Sequence, residues 1–284
     1  MKLIIEPDNG IQPLLRAIES ARECIDIAIF RCDRKAIEEE LAAAVARGVL
    51  VRALVAHTNR GGDVWLRALE LRLLASGVTV TRTDDDLVRY HGKLLLIDRA
   101  TLYVLGFNFT ARDLKSRSFG VRTKDPKVLR DVLALFEADR TRSDFRPTAP
   151  DLVVSPQNAR RRLTRFLRKT RVSLDIYDPG VTDDGIIRLM KELGTRGVKV
   201  RILGKLEKKW QGPPFDARPF PGRLHVRAII RDGRRAFVGS QSLRKLELDE
   251  RREVGLIVRA APIVKEIQRV FEQDWARAKR AGRR

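Results

Sequence analysis

The sequence predicts an α/β protein built twice from one unit, its two halves packed about a pseudo-twofold axis. Three observations predict this. Stretches of the first half recur in the second at a fixed offset, short apolar strands alternate with amphipathic helices, and a His-x-(Lys/Arg)-x4-Asp pattern occurs once in each half. Leu3-Ile4-Ile5-Glu6-Pro7-Asp8-Asn9 returns 149 positions later as Leu152-Val153-Val154-Ser155-Pro156-Gln157-Asn158. Arg47-Gly48-Val49-Leu50-Val51-Arg52 returns as Arg196-Gly197-Val198-Lys199-Val200-Arg201, and Asp26 meets Asp175, at the same offset of 149. Phe136, Glu137 and Asp139 meet Phe271, Glu272 and Asp274 at 135. A duplicated unit of this kind sets matched residues facing each other across the axis.

Taken in order, Leu3 to Glu6 reads as a strand and Ile11 to Glu23 as a helix burying Leu14, Leu15 and Ile18. Cys24 to Phe30 is a strand, Ala36 to Arg47 a helix stopped by Gly48, and Val49 to Val55 a strand. Asp63 caps a helix that runs to Ala75, with Gly77 past its end. Thr83 to Asp86 is a polar, acidic loop, open also to a cation. Leu94 to Ile97 reads as a strand buried on both faces, extending back through Lys93 and His91, and Thr101 to Leu105 as its return. Pro126 opens a helix whose Val128, Leu129, Val132, Leu133 and Phe136 form a core stripe.

Thr141 to Pro150, polar and without periodicity, reads as a linker between a first unit, 1–146, and a second, 151–284. The second unit repeats the order: helix Asn158 to Thr170, strand Val172 to Tyr177, helix Asp183 to Thr195, strand Val198 to Leu203. A last helix from Ala261 to Arg280 ends in a basic, solvated tail with Lys279, Arg280, Arg283 and Arg284. The offset falls from 149 to 134 before His225, so fifteen residues are missing where the first unit has its Asp63 helix. Lys205 to Arg223 stands there, with four prolines and Trp210, Phe215 and Phe220 among Lys205, Lys208 and Lys209. Aromatics interleaved with cations suit stacking on bases and pairing with phosphates, and equally an arm packed onto the body.

The net charge of +21 is uneven: residues 1–149 hold 25 Lys+Arg against 21 Asp+Glu, and residues 150–284 hold 33 against 16, which is +4 and +17. One half therefore presents a surface for a polyanion, nucleic acid first and acidic phospholipid second. No apolar run approaches the roughly 18 residues needed to span a bilayer. Glu6 and Asp8 come too early for a secretion signal. Cys24 and Cys32, the only cysteines, read as thiols of a reducing compartment, so a cytoplasmic location is expected.

His91, Lys93, Asp98 and Asn108 recur 134 positions later as His225, Arg227, Asp232 and Ser242, and two of the three histidines fall at this matched position. Residues two apart on a strand share a face, so His91 and Lys93 project together with Asn108 returning beside them. An imidazole, an ammonium and an amide, with no carboxylate nucleophile, are equipment for gripping and attacking a phosphate. No His/Cys/Asp cluster of ligand spacing accompanies them, so no metal or other cofactor is expected.

In this arrangement the residues resemble the phospholipase D superfamily, with its paired His-x-Lys-x4-Asp motifs, over essentially the whole chain. The second motif departs from the pattern in Arg227 for lysine and Ser242 for asparagine. The resemblance implies two α/β halves, each a mixed β-sheet flanked by helices, with one active site at their interface. It implies a phosphodiesterase in which one histidine attacks phosphorus, giving a phosphohistidine, and the other protonates the leaving oxygen. Water or an alcohol then resolves the intermediate. Lys93 and Arg227 would clamp the phosphoryl oxygens, and Asn108 and Ser242 would donate to them.

The family also carries an acidic residue after each motif that orients the histidine across the interface. Glu253 holds that position in the second half, and Ser118 stands 135 residues before it. The reading is then His91 as nucleophile, its tautomer fixed by Glu253, and His225 as an acid without such a carboxylate. Asp98 and Asp232 sit at strand ends, Asp232 before Gly233 in a hairpin turn, and read as structural. The expected substrate is an anionic phosphodiester, nucleic acid first, with phospholipid hydrolysis or phosphatidyl transfer second. A non-catalytic nucleic-acid-binding protein with a degenerate second motif is the third reading. Both motifs lie in one chain, which permits a monomer.

Overall fold

In the computed structural model, which describes residues 1–58 and 64–281, the strand and helix order of the first half recurs in the second. The first half runs β1 (Lys2–Glu6), α1 (Gln12–Glu19), β2 (Cys24–Ile29), α2 (Lys35–Ala46), β3 (Leu50–Val55), α3 (Val64–Ala75), β4 (Thr79–Arg82), β5 (Arg89–Tyr90), β6 (Leu94–Ile97), β7 (Thr101–Leu105), α4 (Ala111–Leu114), β8 (Ser118–Thr123) and α5 (Pro126–Thr141). The second runs β9 (Leu152–Ser155), α6 (Ala159–Arg168), β10 (Ser173–Val181), α7 (Asp184–Thr195), β11 (Lys199–Leu206), a 3-10 turn (Lys208–Trp210), β12 (Phe215–Arg218), β13 (Arg227–Arg231), β14 (Arg235–Gly239), α8 (Lys245–Asp249), β15 (Arg251–Val258) and α9 (Ala261–Ala281).

Two mixed sheets result, ordered β1-β8-β7-β6-β2-β3-β4 and β12-β11-β10-β13-β14-β15-β5, with β9 also on β15. In each, the strand after the first helix pairs parallel with its successor and antiparallel with the strand behind a motif histidine: β2 with β3 and β6, β10 with β11 and β13. The fold class is as the sequence predicts. Among the described residues no helix is long and apolar enough to cross a membrane.

The repeated polar residues form the same ion network twice. Arg52 meets Asp26 at 2.6 Å and Glu137 at 2.5 Å; Arg201 meets Asp175 at 2.6 Å and Glu272 at 2.5 Å. Each network ties a β-strand pair to the long helix behind it. Asp175 is 2% exposed, so removing its partner leaves an uncompensated buried charge. Arg201→Met is expected to destabilise the fold by about 3–5 kcal/mol in denaturant titration. A loss below about 1 kcal/mol would show that the network carries no such weight.

Asp98 and Asp232 lie in turns at φ +51° and +53°. The Asp98 carboxylate accepts the backbone N–H groups of Arg22, Glu23 and Cys24, and Asp232 those of Arg171, Val172 and Ser173. Each ties its hairpin turn to the start of the neighbouring strand. This explains why α1 ends at Glu19 and not Glu23: those amide groups are drawn away to Asp98. Cys24 and Cys32 are free thiols.

Three segments differ from the sequence reading. The Thr141–Pro150 linker is packed: Phe145 and Ala149 are buried, and Asp131 accepts the N–H groups of Thr148 and Ala149 at 2.5 and 2.6 Å. His91 and Lys93 precede the four-residue β6 and do not extend it. The Lys205–Arg223 segment contains β12, which pairs parallel with β11 as β4 does with β3. Only the helix of the first half is absent there, and the prolines flank an edge strand, where a missing N–H is tolerated. Asp63, residues 282–284 and the side chains of Lys208, Lys279 and Arg280 lie outside the described residues.

Candidate active site

Two short strand contacts between the halves deliver the histidines. β5 pairs parallel with β15, Arg89 opposite Arg251 and Tyr90 opposite Arg252, and the His91 N–H donates to the Arg252 carbonyl at 2.7 Å. The next step along both strands sets His91 beside Glu253. The pseudo-twofold copy is the bridge of Leu224 to Arg117, with the His225 N–H donating to the Arg117 carbonyl at 3.0 Å. There the next step sets His225 beside Ser118. Matched ion pairs brace both contacts, Arg252 with Asp139 at 2.9 Å and Arg117 with Asp274 at 2.8 Å.

Both histidines line one cleft of about 670 Å³, together with Asn108, Asp113, Arg223 and Arg227. His91 Nδ1 lies 2.8 Å from Glu253 Oε2. Glu253 and Lys93 are buried beneath the cleft, with Lys93 Nζ 2.9 and 2.8 Å from the two ring nitrogens of His91 and 5.3 Å from the centre of the Phe30 ring. The edge of the Phe30–His91 ring pair, 4.5 Å between centroids at 72°, holds the imidazole from the other side. Burial, then the Lys93 and Arg227 cations, hold His91 well below its usual pKa. Burial pushes Lys93 down to about 7 and raises Glu253. A neutral imidazole that keeps its proton on Nδ1 and donates that N–H to Glu253 has its lone pair on Nε2, which is what attack on phosphorus requires.

No carboxylate orients His225 through Nδ1, which is buried without a hydrogen-bond partner. Ser118 does stand beside it, fully buried with its Oγ unpartnered, but Asp113 Oδ2 lies 3.7 Å from His225 Nε2. Asp113 is fixed by the Asn108 backbone N–H at 3.0 Å, the Asn108 Nδ2 at 2.6 Å and Arg223 at 2.8 Å. Burial alone would raise Asp113, but His225, the two Asn108 donors and Arg223 outweigh it and hold it at about 2. His225 is held well below its usual value by burial and by Arg227, with Asp113 working upward against them. Asp113 was legible: it sits 134 residues before Glu247, five past Asn108 as Glu247 is five past Ser242. Glu247 in turn accepts the Ser242 N–H at 2.6 Å.

Other expected site residues fall differently. Arg227 lines the cleft, donating to the His225 carbonyl at 2.8 Å and to Ser242 Oγ at 3.3 Å. Ser242 is fully buried behind Arg227 and props it from inside; it does not face the cleft. The Asn108 amide nitrogen is taken by Asp113, although its residue lines the cleft. Lys205, Lys209, Trp210 and Phe215 are not among the cleft residues. Phe215 is buried in the second-half core, Trp210 packs against that core, and Lys209 pairs with Asp184 and Glu207 at 3.3 and 3.2 Å. An edge strand draws those aromatics onto the body, and among the described side chains of the segment only Arg223, at its end, lines the cleft. The exposed aromatic at the cleft is Trp65 of α3, 76% exposed, beside a rim of Arg31, Arg112 and Arg244, while Arg251 is buried and pairs with Glu247 at 3.2 Å. No group of three or more His/Cys/Asp/Glu suited to a metal ion occurs among the described residues.

Residues 14–140 and 163–275 match the family described as cardiolipin synthase, PLD-like domain. A polyphosphate kinase from Porphyromonas gingivalis is similar in structure over 95% of this chain and 46% of its own, at a TM-score of 0.80 and 19% identity. The chain thus spans less than half of that protein. A phosphatidylserine synthase from Haemophilus influenzae Rd KW20 is similar over 97% of this chain and 85% of its own, at a TM-score of 0.76 and 10% identity. At these identities the likeness is one of fold. No curated protein matches the sequence.

Proposed function

The chain belongs to the phospholipase D-like family, and from that premise we propose that it is a metal-independent phosphodiesterase acting on nucleic acid through a phosphohistidine at His91. What carries the reading is the crossed site: each half supplies a histidine and the other half a carboxylate near it, Glu253 hydrogen-bonded to His91 Nδ1 and Asp113 3.7 Å from His225 Nε2. His91 Nε2 attacks phosphorus, forming an N–P bond as the P–O bond to the leaving oxygen breaks. That oxygen takes a proton from His225. Water or an alcohol then attacks the phosphohistidine, giving its proton back to His225 and freeing His91. Arg227 offers a planar fork to the non-bridging oxygens, and Lys93 supplies positive charge from below. Burial and the neighbouring cations favour two neutral rings. A bound phosphodiester adds negative charge, which raises His225 and couples its protonation to substrate binding.

Nucleic acid is favoured by the arginine rim and by Trp65 at the lip, a stacking face beside phosphate-binding cations. A second reading, phosphatidyl transfer, is favoured by Val64, Leu71 and Leu74, apolar and exposed on the same helix as Trp65, and by the cardiolipin synthase description of the family. Cleavage of DNA, RNA and a phosphatidylglycerol vesicle, all with chelator present, decides between them. Turnover of DNA or RNA with no lipid turnover is the expected result. Loss of all activity on chelation, restored by magnesium, would overturn the metal-independent mechanism.

Trp65→Ala is expected to weaken binding of a single strand by roughly 5- to 150-fold, the equivalent of about 1–3 kcal/mol per stacked base. Hydrolysis of a small chromogenic phosphodiester should not change, because Trp65 is a rim residue. Equal losses on both substrates would assign Trp65 to the fold.

Asp113→Asn removes the anion that works His225 upward, so the His225 pKa falls further. If His225 must be protonated to serve as acid, the alkaline limb of kcat/KM moves to lower pH. An unmoved limb would take His225 out of that role.

A further inference from the structure

Away from the cleft, six cations surround a cavity of about 270 Å³: Arg162, Arg165, Lys169, Arg231, Arg235 and Arg259. Among these, one meets a carboxylate, Arg259 with Asp151 at 2.7 Å. Asp232, next to Arg231, has its carboxylate occupied by backbone N–H groups. Arg231 donates to the Phe166 carbonyl at 3.1 Å, and Arg235 to the carbonyls of Arg234 and Arg259 at 3.0 and 3.4 Å, so neither is neutralised. Arg162 is half-buried, and its Nε is buried without a partner. Burial, then Arg161 and Arg165, hold Arg162 below the usual arginine range, and burial with Arg235 and Arg259 does the same to Arg231 against the pull of Asp232.

The fold does not require this concentration of charge. At the repeat offsets of 149 and 134, Arg162, Lys169, Arg231 and Arg235 correspond to Pro13, Ser20, Ile97 and Thr101. The first half builds the same corner with two cations, Arg16 and Lys124 at the positions of Arg165 and Arg259, and without the other four. A socket of like charges that the fold can do without, and that holds an unpartnered guanidinium N–H, is complementary to an anion with several acceptor oxygens.

Position selects the source of that anion. Arg227 lines the cleft and Arg231 lines this pocket, at opposite ends of β13. At about 3.3 Å per residue their backbones are roughly 13 Å apart. A flat bilayer pressed on one end of the strand is held away from the other, whereas a flexible chain carrying many phosphates can reach both. We propose that this pocket is an exosite for a backbone phosphate of a single-stranded nucleic acid whose scissile bond lies in the cleft. The proposal rests on the nucleic-acid reading given above.

The test uses the full chain carrying Arg162→Ala, Arg165→Ala and Lys169→Ala, in a His91→Asn background so that binding is read without cleavage. Affinity for a labelled oligothymidylate should fall roughly tenfold or more, and the slope of log affinity against log salt should drop by about 0.7, the share of one single-strand phosphate contact. With His91 intact, the triple variant should hydrolyse a small chromogenic diester at the unmodified rate. Should the Arg162 change disturb the thermal melt, Arg165→Glu with Lys169→Glu, both exposed, gives the same readout. Unchanged affinity and slope overturn the exosite. Loss of phosphatidylglycerol vesicle binding with oligothymidylate binding intact also overturns it, in favour of a lipid-facing surface. Absence of cleavage of DNA or RNA by the unmodified chain counts against the catalytic reading alone, since the binding difference is measured without turnover.

Discussion

His91→Asn is expected to lower turnover by about 10⁴-fold or more while leaving substrate affinity within a few-fold, since removing a covalent nucleophile costs the whole chemical step. The reason lies in the surroundings of His91. Its Nδ1 meets Glu253 at 2.8 Å, burial and the Lys93 cation keep the ring neutral, and it lines the cleft that Arg227 also lines. Substrate labelled at phosphorus should leave an acid-labile label on the unmodified chain and none on His91→Asn. The His225→Asn variant separates the two histidines. With a chromogenic diester, whose leaving oxygen needs no proton, His225→Asn should recover much of the first step, whereas His91→Asn should recover nothing. Near-normal turnover by His91→Asn, or an undiminished label, would place the nucleophile elsewhere.

Much of the molecule was legible because the chain states its plan twice. The matched Asp26 and Asp175, Arg52 and Arg201, and Glu137 and Glu272 turned out to be two copies of one ion network. The offset of 135 that paired Glu253 with Ser118 also relates Arg252 to Arg117, and with the 134 between Tyr90 and Leu224 it relates the two cross-half contacts. What escaped was short or depended on burial. β5 has two residues and α4 four, too few for any periodicity, yet these elements deliver His91 and Asp113 to the cleft. Asp113 was available from the 134 offset alone; a single carboxylate carries no pattern unless its partner at Glu247 is sought. Trp65 and Trp210 exchanged roles because a sequence does not say which aromatic finds a core to cover it. Trp210 lies beside the edge strand β12 and packs inward, while Trp65, at the start of α3, is left at the cleft lip.

Glu253→Gln should be the second most damaging change, and its cause is one proton. Glu253 accepts from His91 Nδ1, so the imidazole carries its proton there and its lone pair on Nε2. Glutamine has nearly the same shape, but its amide nitrogen can donate to Nδ1. That stabilises the opposite tautomer, with the proton on the nitrogen that must attack. In a triad, the comparable change costs about 10⁴ in kcat, and roughly 10² to 10⁴ is expected here. Ser118 cannot substitute, because the pseudo-twofold places it beside His225 and not His91. Formation of the labelled intermediate should slow by the same factor as kcat, while KM changes little, since Glu253 is buried beneath the cleft and is not among its lining residues. Packing is a separate matter. Glu253 is fully buried with its pKa raised by burial, so exchanging it for a neutral amide should leave the thermal melt unchanged or higher. A fall in kcat of less than tenfold would mean that the His91 tautomer is set by another group. A lowered melting temperature with equal losses in binding and turnover would mean that Glu253 holds the two halves together and has no part in preparing His91 for attack.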